Sequence, residues 1–127
     1  MGRTRILIVD DQPRARQGLT ALLATCPQEV GEIREAESGE QAISLIEAFP
    51  PDVVLMDARM PGMDGLEATR CIKARWPQIQ VIILSMYLEY AADALAAGAE
   101  AFVSKGASPE QLLRTIELAT GHGKPNQ

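Results

Sequence analysis

Residues 51–65, PDVVLMDARMPGMDG, decide the fold of this chain. Four apolar residues, Val53 to Met56, run without interruption into Asp57, and Pro61 and Gly62 follow at once as turn residues. An apolar run of this length between turn signals is typical of a strand buried on both faces of a parallel sheet. Asp57 would then lie at the carboxyl end of the strand, which is the edge of an open α/β sheet where ligands bind.

Working outward from this strand, apolar runs of strand length alternate with segments of helical periodicity. Four further strands are predicted over residues 5–10, 32–36, 80–85 and 101–104. Five helices are predicted to begin near Pro13, Ser38, Asp64, Leu88 and Ser108. Strict alternation implies parallel strands joined by right-handed helical crossovers, which place helices on both faces of one sheet. The predicted fold class is a doubly wound α/β domain with a five-stranded parallel sheet and five helices.

Capping-box patterns mark the starts of three of these helices. A Ser or Asp is followed three residues later by Gln or Glu at Ser38 and Gln41, Asp64 and Glu67, and Ser108 and Gln111. In such a pattern the first side chain accepts a hydrogen bond from a free backbone N–H of the first helical turn. Helix starts are therefore expected directly after Ser38, Asp64 and Ser108.

Composition limits the classes of protein that the chain can represent. The 127 residues suit one domain, predicted over residues 1–120, while residues 121–127, GHGKPNQ, resemble a tail or the start of a linker. A net charge of −5 argues against direct nucleic-acid binding, which needs clustered Lys and Arg. No apolar run reaches the length of a membrane helix, and acidic residues follow the N-terminus too soon for a secretory signal. A cytoplasmic location is therefore expected.

Five polar residues follow the predicted strands at their carboxyl ends. They are Asp10 and Asp11 after the first strand, Asp57 at the third, Ser85 at the fourth and Lys105 after the fifth. These strand ends share one edge of a parallel sheet, so the side chains are expected around one pocket. Three carboxylates in one crevice favour a cation, and Mg²⁺ takes oxygen ligands while keeping waters and phosphate oxygens in its shell. Lysine and serine complete a phosphoryl site because both donate hydrogen bonds to anionic oxygens.

These residues, in this order along the whole chain, resemble the receiver domains of two-component response regulators. The sequence segments LMDARMPGMDGLEATR and LSMY are most similar to those of the NarL/FixJ branch of that family. The resemblance implies a flavodoxin-like fold and phosphorylation of Asp57. It further implies that Asp11, Asp57 and the backbone carbonyl of Arg59 ligate Mg²⁺, with Asp10 acting through water.

The same resemblance assigns the remaining site residues and the partners. It implies that Ser85 and Lys105 bind phosphoryl oxygens and that Phe102 occupies the place of the aromatic switch residue. It also implies phosphorylation by a sensor histidine kinase or a phosphotransfer protein, with no enzymatic activity beyond self-catalysed phosphotransfer and autodephosphorylation. Under this interpretation the candidate partners are a helix-turn-helix output domain outside this chain and a second copy of the chain in a homodimer.

Two alternative functions, and purely structural roles for single residues, compete with this interpretation. A degenerate receiver would serve as a protein-binding module without phosphorylation. A phosphatase of the haloacid-dehalogenase type would need a second acid where the chain has Arg59. Asp10 and Asp11 could have no role beyond capping a helix, and Lys105 could be an ordinary surface residue. Ser85 could simply hydrogen-bond a backbone group. His122 is interpreted as a solvent-exposed residue without a functional role. Four arginines are interpreted as lying on solvent-exposed helix faces: Arg14, Arg16, Arg70 and Arg75.

Two departures from the receiver pattern lead to structural predictions. Gly106 follows Lys105 where many receivers have a proline, and a non-proline cis bond costs about 2.5–4 kcal/mol, so a trans Lys105–Gly106 bond is predicted. Lys105 follows Ser85 by 20 residues, fewer than the receivers that this chain resembles usually have. We therefore expect a shortened loop or a late, abbreviated fourth helix, with phosphorylation retained but weak or rewired coupling to Phe102.

Overall fold

A computed structural model describes residues 3–121 and contains five strands and five helices in strict alternation. The strands are β1 (Thr4–Val9), β2 (Val30–Ala36), β3 (Val53–Asp57), β4 (Gln80–Ser85) and β5 (Ala101–Ser104). The helices are α1 (Pro13–Leu23), α2 (Gly39–Ala48), α3 (Gly65–Arg75), α4 (Ala91–Ala96) and α5 (Pro109–Thr120), and a 3₁₀ turn (Leu88–Tyr90) precedes α4. The predicted number and order of elements are confirmed.

All neighbouring strands are parallel, and their order across the sheet is β2-β1-β3-β4-β5. The strand that contains the deciding stretch, β3, lies in the centre. Asp57 pairs with Leu84, and Ser85 at the end of β4 pairs with Ser104 at the end of β5. The register therefore brings the carboxyl ends of β3, β4 and β5 to one edge of the sheet.

Helices cover both faces of the sheet, as the alternation predicted. On one face Val54 and Met56 of β3 belong to a core cluster that includes Ile46 of α2 and Ile72 of α3. On the other face the strand's remaining apolar side chains pack in a second cluster with α1 and α5; its members include Val53, Leu55, Leu23, Leu112 and Ile116. All five residues of β3 are buried, which explains why this strand reads as an uninterrupted apolar run.

Side-chain caps begin three of the helices, and all three were predicted. The Oγ atoms of Ser38 and Ser108 accept hydrogen bonds from the backbone N–H groups three residues later, at 3.0 and 3.2 Å. Oδ1 of Asp64 accepts in the same way from the N–H of Glu67 at 2.8 Å. The helix that follows β3 therefore starts directly after its loop, which fixes the distance between Asp57 and α3.

The segment between β4 and β5 differs most from regular helix. The sequence predicted a helix over residues 88–97, but α4 has only six residues and the other helices have ten to twelve. The expected late and abbreviated fourth helix is thus confirmed. Residues Leu88–Tyr90 form a 3₁₀ turn instead, and Met86 and Tyr87 connect it to β4.

The remaining structural predictions concern the bond after Lys105, the C-terminal tail and membrane-spanning helices. The Lys105–Gly106 bond is trans, as predicted. Helix α5 ends at Thr120 with Gly121 as its C-cap, and the predicted tail beyond it, including His122, lies outside the described residues. No helix within residues 3–121 is both long enough and apolar enough to span a bilayer.

Candidate phosphoryl and metal site

The turn after β1 holds two acids next to each other at the edge of the sheet. The Asp10 side chain is only 2% exposed, whereas Asp11 is half-buried. Main-chain and side-chain groups of Asp10 are both bonded: its N–H donates to the carbonyl of Ala36 at 3.1 Å, and its Oδ1 accepts from the N–H of Gln12 at 2.9 Å. The structure therefore fixes Asp10 and leaves Asp11 facing the solvent-accessible cleft.

Asp57 ends β3 beside these two acids, and its side chain is 10% exposed. The backbone N–H of Arg59 hydrogen-bonds its carboxylate. Behind it the chain turns back so closely that a Cβ on Gly65 would lie 1.9 Å from the carbonyl oxygen of Asp57. The N–H of Gly65 also donates to the carbonyl of Ala58 at 3.0 Å. Only glycine fits this crossing, so Gly65 sets how closely α3 approaches the end of β3.

Lys105 crosses the site from the end of β5. Its Nζ lies 3.0 Å from Oδ2 of Asp10 and 3.1 Å from Oδ1 of Asp57, and its side chain is 26% exposed. The main chain is anchored too, because the N–H of Lys105 donates to the carbonyl of Ser85 at 2.9 Å. One ammonium group thus bridges two carboxylates at the mouth of the cleft.

Burial and charge shift the pKa values of this group in definite directions. Burial raises the pKa of Asp57 above its usual value, and the nearby charge of Asp10 raises it further, while Lys105 and the Arg59 N–H oppose both. Burial alone would lower the pKa of Lys105, but its hydrogen bonds and charge interactions with Asp10 and Asp57 together raise it. Lys105 is therefore a cation at neutral pH, and the buried Asp57 is left incompletely neutralised.

Ser85 and Phe102 complete the set of residues singled out from the sequence. Ser85 is buried at the end of β4, and its Oγ accepts a hydrogen bond from the N–H of Tyr87 at 3.0 Å. Phe102 of β5 pairs with Ile83 and packs, half-buried, against the core cluster on the face of α2, α3 and α4. Ser85 borders the cleft, whereas Phe102 lies behind it in the core.

The cleft between these residues has a volume of about 790 Å³ and suits a hydrated cation together with an anion. One carboxylate oxygen from each of Asp10, Asp11 and Asp57 lies within 4.8 Å of the other two. Mg²⁺ prefers oxygen ligands and keeps part of its water shell, so three clustered carboxylates in an open cleft fit it. Arg59, whose backbone carbonyl was predicted as a ligand, also lines the cleft.

Aromatic side chains that the sequence analysis did not single out form the rim opposite the acids. The guanidinium of Arg59 lies over the ring of Tyr87, 5.4 Å from its centroid. Tyr87 in turn meets Tyr90 edge to face, with 6.2 Å between the ring centroids. Tyr87 is 48% exposed, and its neighbours Met86 and Leu88 are 63% and 68% exposed. Tyr87 is therefore held by side-chain stacking at the surface, whereas Tyr90 also packs, half-buried, against the core cluster on the face of α2, α3 and α4.

The interpretation of Arg16 as a solvated helix residue was wrong. Its side chain is only 16% exposed, and its Nε lies 2.9 Å from Oε1 of Glu35 on β2. Its NH1 group donates to the backbone carbonyl of Asp10 at 2.6 Å. The other three arginines of that group, Arg14, Arg70 and Arg75, are exposed as predicted. Arg16 therefore contacts the main chain of Asp10, and the only signal for this in the sequence was its place in the first turns of α1.

Comparison with known proteins agrees with the geometry. The family model described as the response regulator receiver domain matches residues 6–117. Response regulator GacA of Pseudomonas viridiflava is 39% identical over 118 residues, which cover 90% of this chain and 54% of that protein. The chain spans about half the length of the curated relatives it matches.

Solved structures are similar over nearly the whole chain. The signal receiver domain of the putative response regulator NarL from Mycobacterium tuberculosis is 30% identical, with a TM-score of 0.86, and the match covers 95% of this chain and 99% of that one. A two-component response regulator of the LuxR family from Aurantimonas is 32% identical, with a TM-score of 0.88, over 95% of this chain and 87% of that one.

Proposed function

Since the chain belongs to the response regulator receiver domain family, we propose that Asp57 accepts a phosphoryl group from a sensor histidine kinase or a phosphotransfer protein. The observation that carries this proposal is the contact of one ammonium group, Lys105 Nζ, with the carboxylates of Asp10 and Asp57 at 3.0 and 3.1 Å. It supports a site that binds an anion and a cation together, because the single positive charge of Lys105 offsets only part of the negative charge of the three carboxylates.

In the proposed reaction an oxygen of the Asp57 carboxylate attacks phosphorus. The new O–P bond forms as the P–N bond to the donor histidine breaks, and the imidazole nitrogen keeps the electron pair and takes up a proton. Catalysis of this kind consists mainly of positioning and charge stabilisation. We therefore expect no enzymatic activity beyond self-catalysed phosphotransfer and autodephosphorylation.

Asp11, Asp57 and the backbone carbonyl of Arg59 would hold Mg²⁺ directly, and Asp10 would act through water. Bound there, the cation would neutralise charge on the phosphoryl oxygens. Lys105 Nζ already contacts the carboxylates of Asp10 and Asp57, so it can transfer a hydrogen bond to a phosphoryl oxygen on Asp57. The Oγ of Ser85 accepts from a backbone N–H, which leaves its own proton free to donate to the same anion.

The proposal extends to the protein that contains this domain. Residues 1–120 would form the receiver, and residues 121–127 would begin a linker to a helix-turn-helix output domain, which agrees with the length of the relatives. We propose a cytoplasmic protein that can form homodimers. The domain itself carries a net charge of −5, so DNA contacts would come from the output domain.

Incubation with acetyl phosphate and Mg²⁺, followed by intact-mass measurement, tests this function. Wild-type protein should gain one phosphoryl group, and Asp57→Asn should gain none because the amide is not a nucleophile. Asp52→Asn is the matched control, since Asp52 flanks the other end of β3 and bonds Arg5 at the opposite edge of the sheet. Unmodified wild-type protein would favour a degenerate receiver, and a phosphorylated Asp57→Asn would contradict the assignment of the nucleophile.

A further inference from the structure

We infer that Arg16 is a positioning residue for the metal ligands and acts through the main chain of the turn that joins β1 to α1. The inference rests on the proposed Mg²⁺-dependent function of this site. It assigns Arg16 no contact with phosphate or cation. Instead, the guanidinium would hold the peptide that links the two acids, Asp10 and Asp11, in the orientation that the metal site needs.

The guanidinium of Arg16 is bonded on two sides. NH1 donates to the carbonyl oxygen of Asp10 at 2.6 Å, and Nε donates to Oε1 of Glu35 at 2.9 Å. The second carboxylate oxygen of Glu35 accepts from the hydroxyl of Thr20 at 3.2 Å. Arginine presents its donors in a rigid planar fork, so two fixed acceptors define the plane of the group. The side chain therefore connects α1, β2 and the end of β1.

The carbonyl that Arg16 holds belongs to the peptide between Asp10 and Asp11. The other polar groups of Asp10 already have partners: its N–H bonds Ala36, and its carboxylate bonds Gln12 and Lys105. Within residues 3–121 the carboxylate of Asp11 accepts no hydrogen bond, so its direction depends on the main chain. Holding the Asp10 carbonyl restricts the rotation of that peptide and so restricts the direction of the Asp11 Cα–Cβ bond, from which its carboxylate extends.

Positioning and electrostatics predict opposite effects when Arg16 is replaced. Arg16 carries a positive charge next to the acid pair, so its loss would tighten Mg²⁺ binding if charge alone mattered. Loss of a residue that orients a metal ligand typically weakens metal affinity 10- to 100-fold. The sign of the change in Mg²⁺ affinity therefore separates the two roles.

The test measures the Kd for Mg²⁺ of unphosphorylated protein by titration calorimetry, with a thermal melt of each metal-free variant. Arg16→Gln should raise the Kd about tenfold. Arg16→Lys, which keeps the charge but cannot bond Glu35 and Asp10 in one plane, should raise it to an intermediate extent. Arg14→Gln is the matched control, because it removes one positive charge from an exposed position on the same helix, and its Kd should not rise.

The outcomes distinguish failure of the inference from failure of the proposed function. An Arg16→Gln Kd equal to or below that of wild type overturns the inference, whatever the melting temperature. Equal weakening by Arg14→Gln also overturns it, since a general effect would then explain the change. If Arg16→Gln does not fold, Arg16→Lys decides by the same criterion. Wild-type protein that binds no Mg²⁺ contradicts the proposed function, and the inference fails with it.

Discussion

The two walls of the cleft are built differently. The acid wall consists of the turn after β1 and the loop from Asp57 to Gly65, where backbone approaches backbone so closely that no Cβ fits on Gly65. The opposite wall, the hydroxyl wall, consists of Ser85 and residues 86–91. Its side chains at Met86 and Leu88 are 63% and 68% exposed, and a 3₁₀ turn replaces the first turn of regular helix.

The two walls suit two different requirements, namely fixed geometry for phosphoryl transfer and rearrangement for signalling. Phosphoryl transfer needs carboxylates and a lysine in fixed relation, because its catalysis consists of positioning. A segment with few buried apolar contacts opens and rearranges at low cost in free energy. The acid wall is therefore suited to hold the reacting groups, and the hydroxyl wall is suited to move when the charge of Asp57 changes.

The chain that continues from the hydroxyl wall is fixed again after α4, just before β5. Nζ of Lys73 donates to the carbonyls of Pro77 and Ile79 at 2.9 and 2.7 Å and to Oε2 of Glu100 at 2.6 Å. The other oxygen of Glu100 accepts from the N–H of Val81 at 2.7 Å. This pair ties the end of α3 and the start of β4 to the turn that follows α4. Motion of the hydroxyl wall should therefore stop before β5.

The largest expected effect breaks the acid wall. Gly65→Ala places a methyl group against the backbone of Asp57 and should lower the free energy of unfolding by about 3 kcal/mol, as expected for overpacking that only backbone movement can relieve. Gly18→Ala is the control, because Gly18 lies in α1 with open space where a Cβ would be added, and alanine should stabilise the helix by about 1 kcal/mol. Urea unfolding measures both. A Gly65→Ala variant with the free energy of unfolding of the wild type would show that the backbone of this wall can move at little cost.

The second effect concerns the ion pair that fixes the turn between α4 and β5. Glu100→Gln keeps an acceptor for Val81 but removes the charge facing Lys73, whose side chain is only 15% exposed. We expect a loss of about 1.5 kcal/mol, typical of a hydrogen bond to a charged group. Glu47→Gln is the control, since its ion pair with Arg75 is about half exposed and should contribute less than about 0.5 kcal/mol. Equal losses would contradict a special role for the Lys73 pair.

A smaller effect of opposite sign is expected from Asp57→Asn in metal-free protein. The folded state raises the pKa of Asp57, mainly through burial, so folding favours its neutral form. The cost of its charge is absent below the unfolded pKa, about 3.9, increases as pH rises toward the folded pKa, and is complete above it. The neutral amide should therefore stabilise the fold at pH 7 and have no stabilising effect near pH 3. Denaturant midpoints across this range measure the difference, and a pH-independent effect would refute it.

Sequence reasoning found the features that depend on local pattern. The buried run of β3, the three side-chain caps and the set of residues at the carboxyl edge all follow from periodicity and order along the chain. Arg16 and Gly65 were missed for a physical reason. Arg16 bonds a carboxylate 19 residues away, and Gly65 is required by a crossing of backbone segments, so each depends on a tertiary contact that spacing does not reveal.

The smallest expected effect is at Phe102, and it tests whether a change at Asp57 is transmitted through the hydroxyl wall to β5. Beryllofluoride, a phosphoryl mimic, should shift the amide signals near Asp57 and Ser85, because both residues border the cleft. Shifts should extend into residues 86–91, of which residues 86–89 are exposed. Beyond them the Lys73–Glu100 pair fixes the turn before β5, and Phe102 already packs half-buried against the core.

Amide shifts at residues 98–102 should accordingly stay well below those at Ser85. The Glu100→Gln variant sharpens this prediction, because release of the turn should allow the shifts to reach Phe102 if the ion pair is what stops them. Shifts at Phe102 as large as those at Ser85 in wild-type protein would reject weak coupling. In that case the abbreviated α4 would transmit the change as a rigid unit, and the looseness of the hydroxyl wall would be confined to its side chains.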